Sequence, residues 1–187
     1  NHIGIELDKK IILFFGFIRK YKGLDWLFES IKIIKDKYPQ DSNLRFLIAG
    51  EFYEDRKPYD ELIDKLDIRD QLILKTDFIS DSDVRYYLSA ADLVVQPYKS
   101  ATQSGVTPLA YHFEVPMVVT RVGGLPALVP EGKVGLIAEP NPDSIALNIH
   151  EFFQADANQF IAHIKEEKKK YSWQNMVNAI LSNANPV

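Results

Sequence analysis

Wholly apolar runs alternate along this chain with stretches in which apolar positions recur every three or four residues. The first period marks buried strands and the second amphipathic helices. Residues 11–15 form the first run, apolar throughout as in a strand covered on both faces, and Gly16 ends it. Leu24, Leu27, Phe28, Ile31, Ile34 and Tyr38 then recur at helical spacing until Pro39 closes that helix. Leu44–Ala49 reads as the second strand, ending at Gly50, and residues 59–66 as a helix with Leu62, Ile63 and Leu66 inward. A short strand at 72–74 precedes a helix that Asp81 or Ser82 can cap, carrying Val84, Tyr87, Leu88 and Ala91. Leu93–Gln96 and Met117–Thr120 are strands on either side of a helix at 105–113, and 134–138 is the last strand. Asn141 caps a helix opened by Pro142, with Ile145, Leu147 and Ile149 inward. Residues 158–169 and 173–181 predict two further helices.

Strands and helices that alternate in this way imply an α/β, Rossmann-like three-layer domain with a parallel sheet of about six strands. No repeat or low-complexity linker interrupts it, so residues 1–187 read as one domain. Ligands of such sheets sit at the carboxyl ends of the strands, where the strand order reverses. The informative loops are therefore 16–23, 50–57, 76–81, 97–105 and 121–125.

Composition narrows the function. With 187 residues, 46% of them hydrophobic, the chain is long enough for a proper core. A net charge of −4 argues against a general nucleic-acid binder. The absence of cysteine excludes disulfides and thiol catalysis and fits a reducing, cytoplasmic setting. No apolar run approaches the ~20 residues of a membrane-spanning helix, and no signal peptide is visible. The abrupt start, NHIGIELDKK, suggests a piece of something larger. The run EEKKK at 166–170 reads as a solvated helix end.

Three loops carry candidate chemistry. GFIRKYKG brings Arg19, Lys20 and Lys22 together directly after a buried strand, which suits a diphosphate or an ordinary basic turn. Ser100, Ala101, Thr102, Gln103, Ser104, Gly105 and Val106 link a strand to a helix. Their backbone N–H groups and the positive end of that helix suit a phosphate. Capping by Thr102 or Ser104 alone is the competing reading. Gly105 is expected to spare the phosphate a side chain and to permit a positive φ. The third loop, VGGLPALV, reads as a structural turn. His2, His112, His150 and His163 lack metal-ligand spacing, no carboxylates pair visibly, and no nucleophile has a base beside it.

The order of these motifs resembles the C-terminal, donor-binding domain of the family 4 retaining glycosyltransferases (glycosyltransferase group 1), one half of a GT-B fold. The resemblance runs from FFGFIRKYKGLDWL through FLIAGE, DFISDSDVRYYLSAADLVVQPY and VVTRVGGLPALV to the closing YSW. It implies transfer of a hexose-type sugar from a nucleotide-diphosphate sugar with retained configuration and without a metal or other cofactor. Arg19 and Lys22 match the family's basic pair at the phosphates. Gly16, Gly50 and Glu51 match turns beside the nucleotide, Phe78 and Ile79 the base pocket, and residues 100–106 the phosphate loop. The family's two glutamates around that loop are here Thr102 and Ala110, and a later one is Ala127. The family also implies an acceptor-binding N-terminal domain, absent here, toward which Trp173 and its neighbours would pack. An acceptor glycan or lipid-linked sugar, bacterial-type polysaccharide assembly, and a cytoplasmic protein touching the inner face of a membrane belong to the same expectation. Two other readings stay open: a degenerate GT-B domain that binds or scaffolds without catalysis, and an epimerase of the same fold. The epimerase should bring catalytic carboxylates and histidines.

Overall fold

The structure, a computed structural model, describes residues 8–171. Six strands form one parallel sheet in the order β3-β2-β1-β4-β5-β6. They are β1 (Lys10–Phe15), β2 (Leu44–Ala49), β3 (Leu72–Lys75), β4 (Leu93–Gln96), β5 (Met117–Thr120) and β6 (Gly135–Ala138). The helices are α1 (Leu24–Lys37), α2 (Lys57–Leu66), α3 (Asp81–Ala90), α4 (Val106–Phe113), α5 (Leu125–Leu128), α6 (Pro142–Gln154) and α7 (Ala157–Glu167). The α/β, Rossmann-like reading of the pattern holds. The order reverses between β1 and β4, so the loops after these two strands flank the switch point, where such sheets leave a crevice.

The period of two along each strand divides the core. Ile12 and Phe14 of β1 join Phe46 and Ile48 of β2 beneath Leu27, Phe28 and Ile31 of α1 and Ile145 and Ile149 of α6. Ile11 and Leu13 join Leu47, Ala49 and Val94 on the other face, under Leu88 of α3 and Val106, Ala110 and Tyr111 of α4. Leu13 pairs with Leu47 on one side and Val94 on the other and is fully buried. Truncating it to alanine should cost about 2–5 kcal/mol, because its surroundings cannot collapse into the space.

Several local expectations are corrected. In α6 the inward positions are Ile145, Ala146, Ile149 and Phe152, while Leu147 is exposed. Two residues along a helix turn about 200°, so Leu147 cannot share a face with both Ile145 and Ile149. The N-cap of α3 is Ser80, whose hydroxyl engages the Asp83 carboxylate at 2.7 Å instead of a backbone N–H. β1 begins at Lys10, which pairs with Leu44 of β2, and Asp92 accepts the Ile11 N–H at 2.8 Å and the Lys10 ammonium at 3.0 Å. Residues 125–128 form a short helix where a loop was expected. Asn141 does cap α6, accepting the Ser144 N–H at 2.9 Å. After α7, residues Lys168–Tyr171 make a 3-10 turn in which Lys169 and Lys170 pair with Glu166 and Glu167. The helix expected at 173–181, Trp173 and His2 lie outside the described residues. Among the described residues, no helix is long and apolar enough to cross a membrane.

Candidate functional site

The loops after β1 and β2 are zipped together beyond the sheet. Gly16 donates to Ala49 O at 2.9 Å, Ile18 to Glu51 O at 2.7 Å, and Tyr53 back to Ile18 O at 3.0 Å. Gly50 lies directly on the Gly16 carbonyl. The first loop then makes a 3-10 turn, Lys20–Lys22, and is tied to the loop after β4 by Lys99 N–H donating to Tyr21 O at 2.7 Å. Two loops far apart in sequence thus meet at the switch point.

Its cations are unneutralised. Among the described residues, Arg19, Lys20 and Lys22 have no carboxylate partner, whereas nearby Lys99 is held by Asp25 at 2.5 Å. The Lys22 ammonium is partly buried beside the Tyr98 ring, 5.8 Å from its centroid. Burial pushes its pKa below the ordinary lysine value, and the adjacent Arg19 charge pushes it further the same way. The Arg19 guanidinium stacks on Tyr53, 4.4 Å from the ring centroid, and its Nε is buried without an acceptor. Lys20 is exposed, and its backbone N–H donates to the Glu54 carboxylate at 3.1 Å.

A Cβ built on Gly16 would lie 3.2 Å from Lys22 Nζ and 3.8 Å from Val106 Cγ2. The ammonium therefore sits where α4 begins. Ahead of α4, no backbone N–H from Ser100 to Gly105 donates a hydrogen bond among the described residues. Ser104, one residue before the N-cap Gly105, accepts the Val106 N–H at 3.2 Å, while Thr102 and Gln103 are exposed and, among the described residues, make no hydrogen bond. These amides and the positive end of α4 suit an anion. Gly105 departs from expectation: its φ of −67° and ψ of −14° are ordinary right-handed values, and a Cβ there meets nothing within 4 Å. Its lack of a side chain leaves space in the crevice and relieves no backbone strain.

The Gly-Gly turn after β5 is structural, as expected, and it shapes the site. A Cβ on Gly123 would lie 1.4 Å from Ala101 O, and one on Gly124 2.5 Å from Thr102 O. Only residues without side chains let this turn support the 100–106 loop from behind. Below it, Thr120 donates to Tyr98 O at 2.6 Å, and Gln96 and Thr107 bond to each other at 3.1 Å.

The other sequence candidates lie further along the same edge. Glu51 is partly exposed, and Phe78, at 74%, is the most exposed large apolar side chain in the structure. Ile79 packs onto the core beneath α3 and α4. β3, which leads to Phe78, stands two strands from β1, roughly 10 Å across the sheet. Of the histidines, His112 and His163 are exposed. His150 bonds to the buried Asp41 at 2.7 Å and stacks on Tyr38, a pair the sequence did not show. Asp41 precedes β2, which puts this pair at the opposite, amino edge of the sheet. Among the described residues, no group of three His, Cys, Asp or Glu could hold a metal. Tyr53 and Tyr98, which touch Arg19 and Lys22, were missed; the signal available was an aromatic in each loop that follows a strand.

Strand order, crevice and unneutralised cations define a doubly wound α/β domain open to an anionic ligand at its switch point. The chain belongs to the family of glycosyl transferases group 1, whose model matches residues 9–155. It is 31% identical over 181 residues to the D-inositol 3-phosphate glycosyltransferase of Corynebacterium urealyticum, an alignment spanning 92% of this chain but 42% of that protein. The chain thus spans less than half the length of this relative. Its fold is similar to the C-terminal domain of a group 1 glycosyl transferase, LpcC, from Francisella tularensis (TM-score 0.76, 19% identity, 88% of this chain and 87% of that one). It is also similar to one half of HepE from Anabaena, solved in complex with UDP-glucose (TM-score 0.78, 16% identity, 95% of this chain and 49% of that one). The architecture is one half of a GT-B fold.

Proposed function

We propose that the chain is the donor-binding half of a retaining glycosyltransferase and holds the diphosphate of a nucleotide sugar between Arg19, Lys22 and the 100–106 loop. The observation that carries this is the Lys22 ammonium, partly desolvated, without a carboxylate partner among the described residues, next to a second cation and at the start of α4. A buried cation left unpaired is costly unless an anion completes it. In transfer, negative charge builds on the leaving diphosphate as its bond to the sugar breaks. Arg19, Lys22 and the loop amides are placed to stabilise that charge without a metal. Gly16, Gly50 and Glu51 then flank the nucleotide, and Phe78 and Ile79 offer an apolar surface for its base. HepE, solved with UDP-glucose, supports a nucleotide sugar as the ligand. Retention, a hexosyl donor, and an acceptor glycan or glycolipid met by a further domain rest on the family resemblance. The same holds for a role in polysaccharide assembly at the cytoplasmic face of a membrane. On this reading the chain alone binds donor and does not turn over.

A second reading, a binding module without catalysis, is favoured by the residues that replace the family's glutamates. Thr102 is exposed, and Ala110 is fully buried on the core-facing side of α4.

Calorimetry with UDP and GDP tests the site. Arg19→Ala with Lys22→Ala should weaken binding by about 1.5–3 kcal/mol per charged hydrogen bond lost, and EDTA should change nothing. Parent-like affinity in the double variant would show that the phosphates lie elsewhere. Assaying transfer by the chain joined to its acceptor domain then separates enzyme from binding module.

A further inference from the structure

We propose that Tyr98 is a positioning residue for this anion site: it aims the Ser104 hydroxyl hydrogen into the crevice as an additional donor to the diphosphate. Tyr98 is 3% exposed, and its hydroxyl lies 3.2 Å from Ser104 Oγ. A buried phenol must place its proton on an acceptor. Ser104 Oγ is the one partner of that hydroxyl among the described residues, so Tyr98 donates and Ser104 accepts. Ser104 Oγ also accepts the Val106 N–H at 3.2 Å. A hydroxyl has two lone pairs and one hydrogen. Both lone pairs are then used, and the hydrogen has no acceptor among the described residues. It is left for an anion bound against the loop.

The same ring ties the two halves of the site together. Its face lies beside the Lys22 ammonium, and it makes a T-shaped contact with Tyr21, the neighbour of Lys22, with ring centroids 6.1 Å apart. Thr120 fixes the Tyr98 backbone from β5. Burial also holds the phenol protonated, its pKa pushed up to about 12, so it remains a donor throughout the neutral range. Tyr98 need not touch the ligand. It sets the distance between the cation above its ring and the hydroxyl at its tip.

The inference rests on the donor reading above, and the experiment keeps the two apart. UDP and uridine are titrated into the chain and into Tyr98→Phe, Ser104→Ala, Ser104→Thr and the Tyr98→Phe/Ser104→Ala pair, with thermal melting of each. The Francisella C-terminal domain, of similar extent, was solved as a domain, which supports using the chain as it stands. Tyr98→Phe keeps the ring and the packing. It and Ser104→Ala should each weaken UDP about three- to tenfold, the range of one neutral hydrogen bond. The double variant should be no weaker than the weaker single, because both act through one donor. Ser104→Thr should restore most of what Ser104→Ala loses, and uridine, without phosphates, should bind all variants alike. Parent-like UDP affinity in Tyr98→Phe, additive losses, or an equal loss for uridine would overturn the proposal. If the Arg19/Lys22 double alanine variant loses UDP while Tyr98→Phe keeps it, the donor site stands and the role of Tyr98 falls. If the double alanine variant binds UDP as the parent does, both fall.

Discussion

Lys22 Nζ lies 3.2 Å from the point where a Cβ on Gly16 would stand, so the ammonium occupies the space that glycine leaves open. Gly16 also sits at φ +95°, a conformation other residues rarely adopt. Gly16→Ala should therefore act twice. It should lower stability by about 1–3 kcal/mol through backbone strain, and it should displace Lys22 and weaken UDP binding. Urea denaturation and calorimetry report the two effects separately. Unchanged UDP affinity would mean that the position of Lys22 does not matter to the ligand.

Gly123 and Gly105 should respond in opposite ways. At Gly123, a Cβ meets Ala101 O at 1.4 Å and φ is +50°. Gly123→Ala should push the 100–106 loop away, lowering both the melting temperature and UDP affinity. At Gly105 the backbone is ordinary and the space is open. Gly105→Val should keep stability within about 1 kcal/mol of the parent, the scale of a helix cap, yet block an anion at the loop. A Gly105→Val chain that binds UDP normally would remove the loop from the site.

Ala110→Glu, which restores a family glutamate, should fail. Ala110 is fully buried among Val106, Tyr111 and Val115. An unpaired carboxylate there should cost about 3 kcal/mol or more, part of it recovered at acid pH as the carboxyl binds a proton. Thermal melting decides the matter. A stable variant with tighter UDP binding would show that the side chain reaches the ligand after all.

Lys22 should couple binding to pH. Its pKa in the folded chain is below the ordinary 10.5, through burial first and Arg19 second. Between that lowered value and 10.5 the unfolded chain holds more protons than the folded one. The contribution of Lys22 to stability therefore rises with pH across that alkaline window, and Lys22→Met should flatten the rise. A bound diphosphate favours the charged ammonium, so binding in the same window should take up a proton and weaken as pH rises. Calorimetry in two buffers of different ionisation heat measures the uptake; none would place the phosphates away from Lys22.

The layered α/β domain and the edge where a ligand would lie are legible in the order of residues alone. Runs such as 11–15, and the helical spacing of Leu24, Leu27, Phe28 and Ile31, are local consequences of burial on two faces or on one, and they are legible without neighbours. The basic turn and the small-residue loop were legible for the same reason, since each is contiguous. Tertiary structure alone decided which cation stays unneutralised. Lys99 finds Asp25 74 residues away, whereas Lys22, among the described residues, has no carboxylate partner and lies beside the Tyr98 ring. It also decided that Gly123 supports Ala101, that Tyr98 reaches Ser104, and that His150 meets Asp41 at the opposite edge. Pairing energies depend on distances between residues far apart in the chain. Those distances exist only once strand order and register have set them.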